Sequence, residues 1–143
     1  MTTTKRLGTL TASLFIAVTL FGGGTALAAN YHFVGDRSCT SSNGGTTVSC
    51  SFKVAGLGNQ SSTASVYLTA PAGCAKTNHG SQYVQPNGLA QSPTVSAPVN
   101  NGQITISGLT LSSNACPDQF SGVIQSPVSV YVNGVFVGTI RIT

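Results

Sequence analysis

The stretch "VSVYVNGVFVGTIRIT", Val128–Thr143, carries the pattern that decides the fold. Valines alternate with other residues on both sides of an Asn133-Gly134 pair, and Asn-Gly between alternating apolar runs indicates a two-residue hairpin turn. With that turn the valines share the core face, and Tyr131 lies opposite Phe136 on the other face. The stretch therefore predicts an antiparallel hairpin with two aromatic rings outside the core.

The apolar pattern changes parity near the end of this hairpin. The turn places Val130 opposite Val137, and the next apolar residues, Ile140 and Ile142, are out of step with the valines. One extra residue in a strand restores the parity, and glycine is common at such bulges. We therefore predict a single-residue bulge at Gly138 that returns both isoleucines to the core side.

Alternation with a period of two recurs along most of the chain after residue 28. The alternating segments are "YHFV" (31–34), "VSCSFKVAG" (48–56), "ASVYLTA" (64–70), "PTVSAPV" (93–99), "QITIS" (103–107) and the two strands of the closing hairpin. The turn at Asn100–Gly102 predicts that the fourth and fifth segments form a second hairpin. About seven short strands in one domain predict an all-β, antiparallel, immunoglobulin-like β-sandwich, with a small β-barrel as the alternative.

The central stretch from Pro71 to Pro93 lacks this alternation and is rich in Gly, Pro, Asn and Gln. We predict a long loop there, anchored by Cys74. Because long ordered loops in compact domains often have a function, His79 in this loop is a candidate ligand-binding residue.

The cysteines predict two disulfides. The segment "CTSSNGGTTVSC" is symmetric about Gly44-Gly45, and a two-residue turn at that pair places Cys39 directly across from Cys50, within disulfide reach. Cys74 then pairs with Cys116 by elimination. A zinc site is not favoured, because no Cys-x-x-Cys spacing occurs.

The start of the chain predicts export. Two basic residues precede the apolar run "LTASLFIAVTLF" (10–21), and the small residues Ala26 and Ala28 follow, spaced as at a cleavage site. This order is typical of a secretory signal peptide, and the run is shorter than the roughly 20 residues that span a bilayer. We predict that residues 1–28 are removed by cleavage near Ala28. Residues 29–143 then form one secreted domain, extracellular or at the cell surface, with no membrane span.

Charge excludes nucleic acid as a partner. The mature chain has four basic residues, Arg37, Lys53, Lys76 and Arg141, against two aspartates and no glutamate. Nucleic-acid binding requires Lys and Arg clustered on one face, whereas these four are scattered singly.

Few groups in the mature chain could support catalysis: His32, His79, Asp36, Asp118, two lysines and the hydroxyls. No Gly-x-Ser-x-Gly nucleophile motif occurs, and Arg37 beside Asp36 favours a surface charge pair over the paired carboxylates of a glycosidase. No cofactor motif or metal-ligand spacing is present. We predict a protein that is not an enzyme and has no cofactor or metal. A small secreted hydrolase is the less favoured alternative.

The outward aromatics provide the functional prediction. Tyr67 is outward by the alternation of its own strand, and an immunoglobulin-like order places that strand beside the closing hairpin. Tyr67, Tyr131 and Phe136 would then share an exposed sheet face, suited to a glycan, an apolar ligand or a protein. Alternatively, the Tyr131–Phe136 pair only stabilises the hairpin, or the central loop covers it.

We therefore predict a secreted, non-catalytic β-sandwich that binds an unidentified extracellular ligand or surface component. The candidate ligand-binding residues are these three aromatics and His79. The alternative is a structural cell-surface protein that self-associates, to which low charge and bare sheet edges are suited.

Four short motifs carry a family resemblance. They are "SFKVAGLGN" (51–59), "CAKTNHG" (74–80), "NNGQI" (100–104) and "ACP" (115–117). Together they resemble a loose family of small, mostly uncharacterised exported proteins of actinomycete-type bacteria, over most of the mature chain. The resemblance implies secretion and a β-rich fold, and it implies no particular activity.

Overall fold

The computed structural model describes residues 30–59, 61–78 and 81–143, and the predicted signal peptide lies outside them. In this part of the chain the strands form a three-stranded and a six-stranded antiparallel sheet. The strands are β1 (His32–Ser42), β2 (Thr47–Ala55), β3 (Thr63–Asn78), β4 (Ser81–Gln91), β5 (Val95–Pro98), β6 (Ile104–Ser112), β7 (Ser121–Ile124), β8 (Val128–Val132) and β9 (Val135–Ile140). The predicted antiparallel β-sandwich is confirmed, and the described sheets do not close into a barrel.

The smaller sheet has the order β1-β2-β6 and contains the first predicted disulfide. Cys39 lies directly opposite Cys50, with their Cα atoms 4.1 Å apart, and both residues are fully buried. The turn is centred on Gly44-Gly45 as predicted, but it spans residues 43–46 and not two residues. Thr46 joins the turn because its Oγ1 donates to the Asn43 carbonyl over 2.9 Å.

The larger sheet is organised around β3, which pairs along both of its edges. One edge contacts β5 and then β4, and the other contacts β8 and then β7. Pro71 lies within this central strand although it has no N–H to donate. Its position is tolerated because it falls between the ladders of β8 and β7, where its carbonyl accepts the N–H of Gln125 over 2.8 Å.

The long loop predicted for Pro71–Pro93 is wrong. Most of these residues form the end of β3 and the whole of β4, which pair from Thr69–Gln91 to Asn78–Ser81. The alternation is hidden in the sequence because the ladder has a bulge between Pro71 and Gly73 and because Gly88 adopts a positive φ of 75°. Irregular composition here marks a bent strand pair.

The second predicted hairpin is also wrong. The turn is present, since Asn100 and Gln103 exchange two backbone hydrogen bonds of 2.8 and 3.0 Å. Beyond it, however, β5 pairs with β3 and β6 pairs with β2. The two strands separate into different sheets, so this connection crosses from one layer of the sandwich to the other.

The closing hairpin largely follows the prediction. Asn133 and Gly134 have positive φ values of 50° and 79°, as a two-residue hairpin turn requires, and Tyr131 lies opposite Phe136. A single-residue bulge is present, but its predicted position is wrong: the extra residue is Val137, and Gly138 pairs regularly with Val130. A Cβ at position 138 would lie 2.8 Å from the Phe33 ring, which explains why glycine stands there.

The core between the sheets is mainly aliphatic. The inward positions predicted for β2, β3 and the closing hairpin through Val132 are buried, as is Ile140 after the bulge. The chain end then leaves the larger sheet. The N–H of Thr143 donates to the Cys39 carbonyl over 2.9 Å, and Ile142 forms a parallel bridge with Cys39. This segment closes one side of the sandwich, between β9 and β1.

Candidate functional site

Three aromatic rings stand in a row on the outer face of the larger sheet. Tyr67 on β3 lies directly opposite Tyr131 on β8, which lies opposite Phe136 on β9. The ring centroids of Tyr67 and Tyr131 are 4.9 Å apart with an interplanar angle of 6°. The centroids of Tyr131 and Phe136 are 5.7 Å apart with an angle of 59°. The predicted meeting of these three residues is therefore confirmed, and we call them the aromatic row.

The geometry of the row determines which parts of the rings a ligand can reach. Two parallel rings lying side by side in one plane need centroids at least about 6 Å apart, since carbon atoms approach to about 3.5 Å. At 4.9 Å the rings of Tyr67 and Tyr131 must overlap face to face with an offset. Each tyrosine therefore covers one face of the other, and neither of those two faces is available for stacking on a ligand.

Exposure increases towards the edge of the sheet. Tyr67 and Tyr131 are half-buried, whereas Phe136 on edge strand β9 is 53% exposed. Neither tyrosine hydroxyl is hydrogen-bonded to another residue in the described part of the chain. The region predicted to be a covering loop is instead β4, which extends the same sheet beyond β3 and does not lie over the row.

The turn next to the row is held by polar contacts. The Oδ1 atom of Asn133 accepts the backbone N–H of Ser65 over 2.9 Å, and the Asn133 N–H donates to the Ser65 carbonyl over 2.8 Å. Its Nδ2 atom donates to the Tyr31 hydroxyl over 3.3 Å. The hairpin carrying two of the three rings is thus tied to β3, which carries the third. The row is built on paired strands and not on a loop.

The described part of the chain places Asp36, one of the candidate catalytic groups, beside Arg37 at the protein surface. Asp36 lines two shallow depressions, together with Arg37 in both, and neither is lined by a histidine or a second aspartate. The predicted Asp36–Arg37 ion pair is absent from the described residues, and the Arg37 guanidinium lies 5.0 Å from the centre of the Phe33 ring. Among the described residues no three His, Cys, Asp or Glu side chains are close enough to hold a metal ion.

The remaining predicted site residues lie elsewhere. Cys74 and Cys116 form the second predicted disulfide, with a Cα–Cα distance of 5.7 Å, and tie the segment after β6 to β3. Beside it, the Lys76 ammonium lies 5.5 Å from the centre of the Phe120 ring and donates to Gln119 Oε1 over 3.2 Å. His79 lies outside the described residues, so its role in ligand binding stays a prediction.

The exposed apolar side chains of β4 were not predicted from the sequence. Tyr83 is 58% exposed and Leu89 is 66% exposed. A strand assignment would have revealed them, but Pro86 and Gly88 between them are typical of a turn. The misassigned loop therefore concealed a second set of exposed apolar residues.

Comparisons of the chain with protein-family models, with curated proteins and with solved structures gave no significant match. No helix in the described residues is long and apolar enough to cross a membrane.

Proposed function

We propose that this chain is a secreted, non-catalytic β-sandwich that binds an extracellular partner through the outer face of its larger sheet. The observation that carries the proposal is the Phe136 ring, which is 53% exposed at the end of the aromatic row. An aromatic ring that is exposed in the free protein contributes favourable free energy to binding when a partner buries it. Tyr131 packs against Phe136, Tyr67 stacks on Tyr131, and the two tyrosines add hydroxyls to the row.

The orientation of the rings favours a protein partner over a glycan. Flat sugar rings bind by stacking on an exposed aromatic face, and the tyrosines stack on each other with an interplanar angle of 6°. A row of rings with polar hydroxyls suits a protein surface, where tyrosine and phenylalanine are enriched at interface centres. We therefore propose that Phe136 enters an apolar pocket of the partner and that the tyrosine hydroxyls form hydrogen bonds at its rim.

Two further observations support the wider assignment. Both disulfides are of the kind that persists in an oxidising compartment, which supports secretion of the mature chain. The pairing of β3 with the closing hairpin matches the order expected of an immunoglobulin-like sandwich, which supports that classification.

The test compares three immobilised proteins as baits for the extracellular protein fraction and for purified cell-wall glycans. They are the wild type, Phe136→Ala, and Tyr83→Ala as a matched control, since Tyr83 is similarly exposed but lies on β4 away from the row. We expect the wild type and the control to retain the same protein, and Phe136→Ala to lose it. Retention of one protein by all three baits would remove the aromatic row as the binding surface.

Self-association is the competing function, because only 6% of the residues are charged. Sedimentation of the mature protein over a concentration series separates the two functions. A monomer at every concentration supports the binding protein, and a concentration-dependent oligomer that Phe136→Ala abolishes would assign the row to contacts between copies.

A further inference from the structure

On the second side of the sandwich, β5 and β6 are joined at one end by the turn at Asn100–Gly102 and do not pair with each other. On the opposite side, the chain end joins β9 to β1 through the Ile142–Cys39 bridge. At the β4 edge, Asn114 Nδ2 donates to the carbonyls of Asn87 and Leu89 over 2.8 and 3.1 Å, so that edge is partly covered. No described strand pairs with the outer edges of β5 and β6. We call the gap between these edges the open seam.

The open seam contains a cavity of about 390 Å³. Its lining combines apolar side chains from both sheets with hydroxyls, and none of the lining residues is charged. The apolar part includes Val95 and Ala97 of β5 and Ile106 and Leu109 of β6. A neutral segment that places small apolar side chains inward would therefore fit this gap.

On the β5 side, Ser96 directs its backbone polar groups away from β3. Antiparallel pairs alternate between bonded and non-bonded, and the Val99 N–H donates to the Ser62 carbonyl over 2.9 Å. Continuing that alternation along the register makes the Ser65–Ser96 pair non-bonded. Consistent with this, the N–H and carbonyl of Ser65 bond to Asn133 on the β8 side. The N–H and carbonyl of Ser96 then point away from β3, at a strand edge that lines the cavity.

On the β6 side, Thr110 directs its backbone polar groups away from β2 in the same way. The Ser113 N–H donates to the Thr46 carbonyl over 2.8 Å, in step with the β2–β6 register. The alternation makes Ser49–Thr110 a non-bonded pair, so the N–H and carbonyl of Thr110 point away from β2. Both Ser96 and Thr110 line the cavity. Two strand edges thus offer main-chain donors and acceptors to the same gap.

We propose that the open seam binds a short extended segment of a partner protein by strand addition. Main-chain hydrogen bonds to Ser96 and Thr110 would supply affinity, and the apolar lining would select alternating apolar side chains. The paired segment is short, since Pro98 has no N–H and the β2–β6 ladder is irregular at Gly108, which has a φ of 69°. This site is separate from the aromatic row.

The chain end shows the chemistry that such a segment needs. It closes the opposite side with Ile140 buried, Ile142 packed against the core and Arg141 exposed between them. A capped synthetic peptide with the sequence of residues 138–143 is therefore a suitable probe. A second peptide, N-methylated at both isoleucines, keeps the side chains but removes two main-chain donors.

The experiment measures backbone amide exchange and peptide affinity on the intact mature protein. We expect the unmethylated peptide to slow exchange of the Ser96 and Thr110 amides and the methylated one to bind about tenfold more weakly. Ser96→Pro, which removes the outward N–H without breaking the β3 ladder, should weaken binding about three- to tenfold relative to Ser96→Ala. Phe136→Ala should leave it unchanged.

Three results would overturn the proposal. The first is unchanged exchange at Ser96 and Thr110 with the peptide at about millimolar concentration, the weakest binding of interest. The second is equal affinity for the two peptides, a comparison made on the wild type that does not depend on whether Ser96→Pro folds. The third is dimerisation of the protein alone that Ser96→Pro abolishes, since this would assign the seam to a second copy.

Discussion

The stacking of Tyr67 on Tyr131 predicts a specific energetic coupling within the aromatic row. The perturbation is a set of double-mutant cycles in which each ring is replaced by alanine, singly and in pairs. Because the register places these two tyrosines directly opposite each other with parallel rings, truncating one should remove most of the benefit of the other. The cycle isolates this pairwise contribution from the separate effects of each substitution.

The distances between the ring centroids set the expected order of the coupling free energies. Tyr67 with Tyr131, at 4.9 Å, should couple by about 0.5 to 1.5 kcal/mol, as other aromatic pairs do. Tyr131 with Phe136 is tilted and more exposed, so we expect about 0.2 to 1 kcal/mol. Tyr67 and Phe136 are two strand spacings apart, roughly 9 to 10 Å, and should be additive within about 0.3 kcal/mol. This last pair is the internal control.

Urea unfolding of the purified mature proteins, with both disulfides intact, gives each free energy of unfolding. A single cooperative transition with a constant slope against urea is required for the comparison. If the coupling of Tyr67 with Tyr131 were no larger than that of Tyr67 with Phe136, the stacked geometry of the row would be refuted. A small effect of Phe136→Ala on stability would make its loss of binding attributable to the interface.

Two further substitutions test other parts of the fold. Ser92 is buried, and its Oγ accepts the N–H of Leu68 over 2.8 Å. Ser92→Ala should lower the free energy of unfolding by about 1 to 3 kcal/mol because that buried N–H loses its partner, and an effect near zero in urea unfolding would contradict this. Replacing Cys74–Cys116 by alanines should cost about 4 kcal/mol and replacing Cys39–Cys50 about 3 kcal/mol, because the sequence separations are 42 and 11. The reverse order in the same assay would show that packing and not loop closure dominates.

The local alternation of apolar and polar residues was sufficient to predict much of the fold. The alternation in β2, β3 and the closing hairpin predicted which side chains face the core, because the side-chain period of a strand is two. The symmetry of the first cysteine segment predicted the Cys39–Cys50 pair, because residues equidistant from a turn oppose each other. The same reasoning predicted Tyr131 opposite Phe136 and a bulge before Ile140. Each of these depends on neighbours within a few residues.

The alternation of apolar and polar residues did not predict the fold correctly where strands bend or where consecutive strands join different sheets. In β4, Pro86 and Gly88 resemble a loop, yet the strand forms because β3 offers a free edge along its second half. The separation of β5 from β6 follows from which sheet each can join, and no turn residue encodes that choice. Both outcomes depend on pairing between segments that are far apart in the sequence, and local composition predicts such pairing poorly.

The sequence by itself determined the alternating faces, both disulfide pairings and the identity of the outward rings. Only the tertiary structure decided that Tyr67 and Tyr131 stack face to face, that β4 leaves the row uncovered, and that the seam between β5 and β6 stays open. The physical reason is that the backbone of a strand by itself sets the face of the sheet to which each side chain points. The partner at each edge is set by packing between segments that are far apart in the chain.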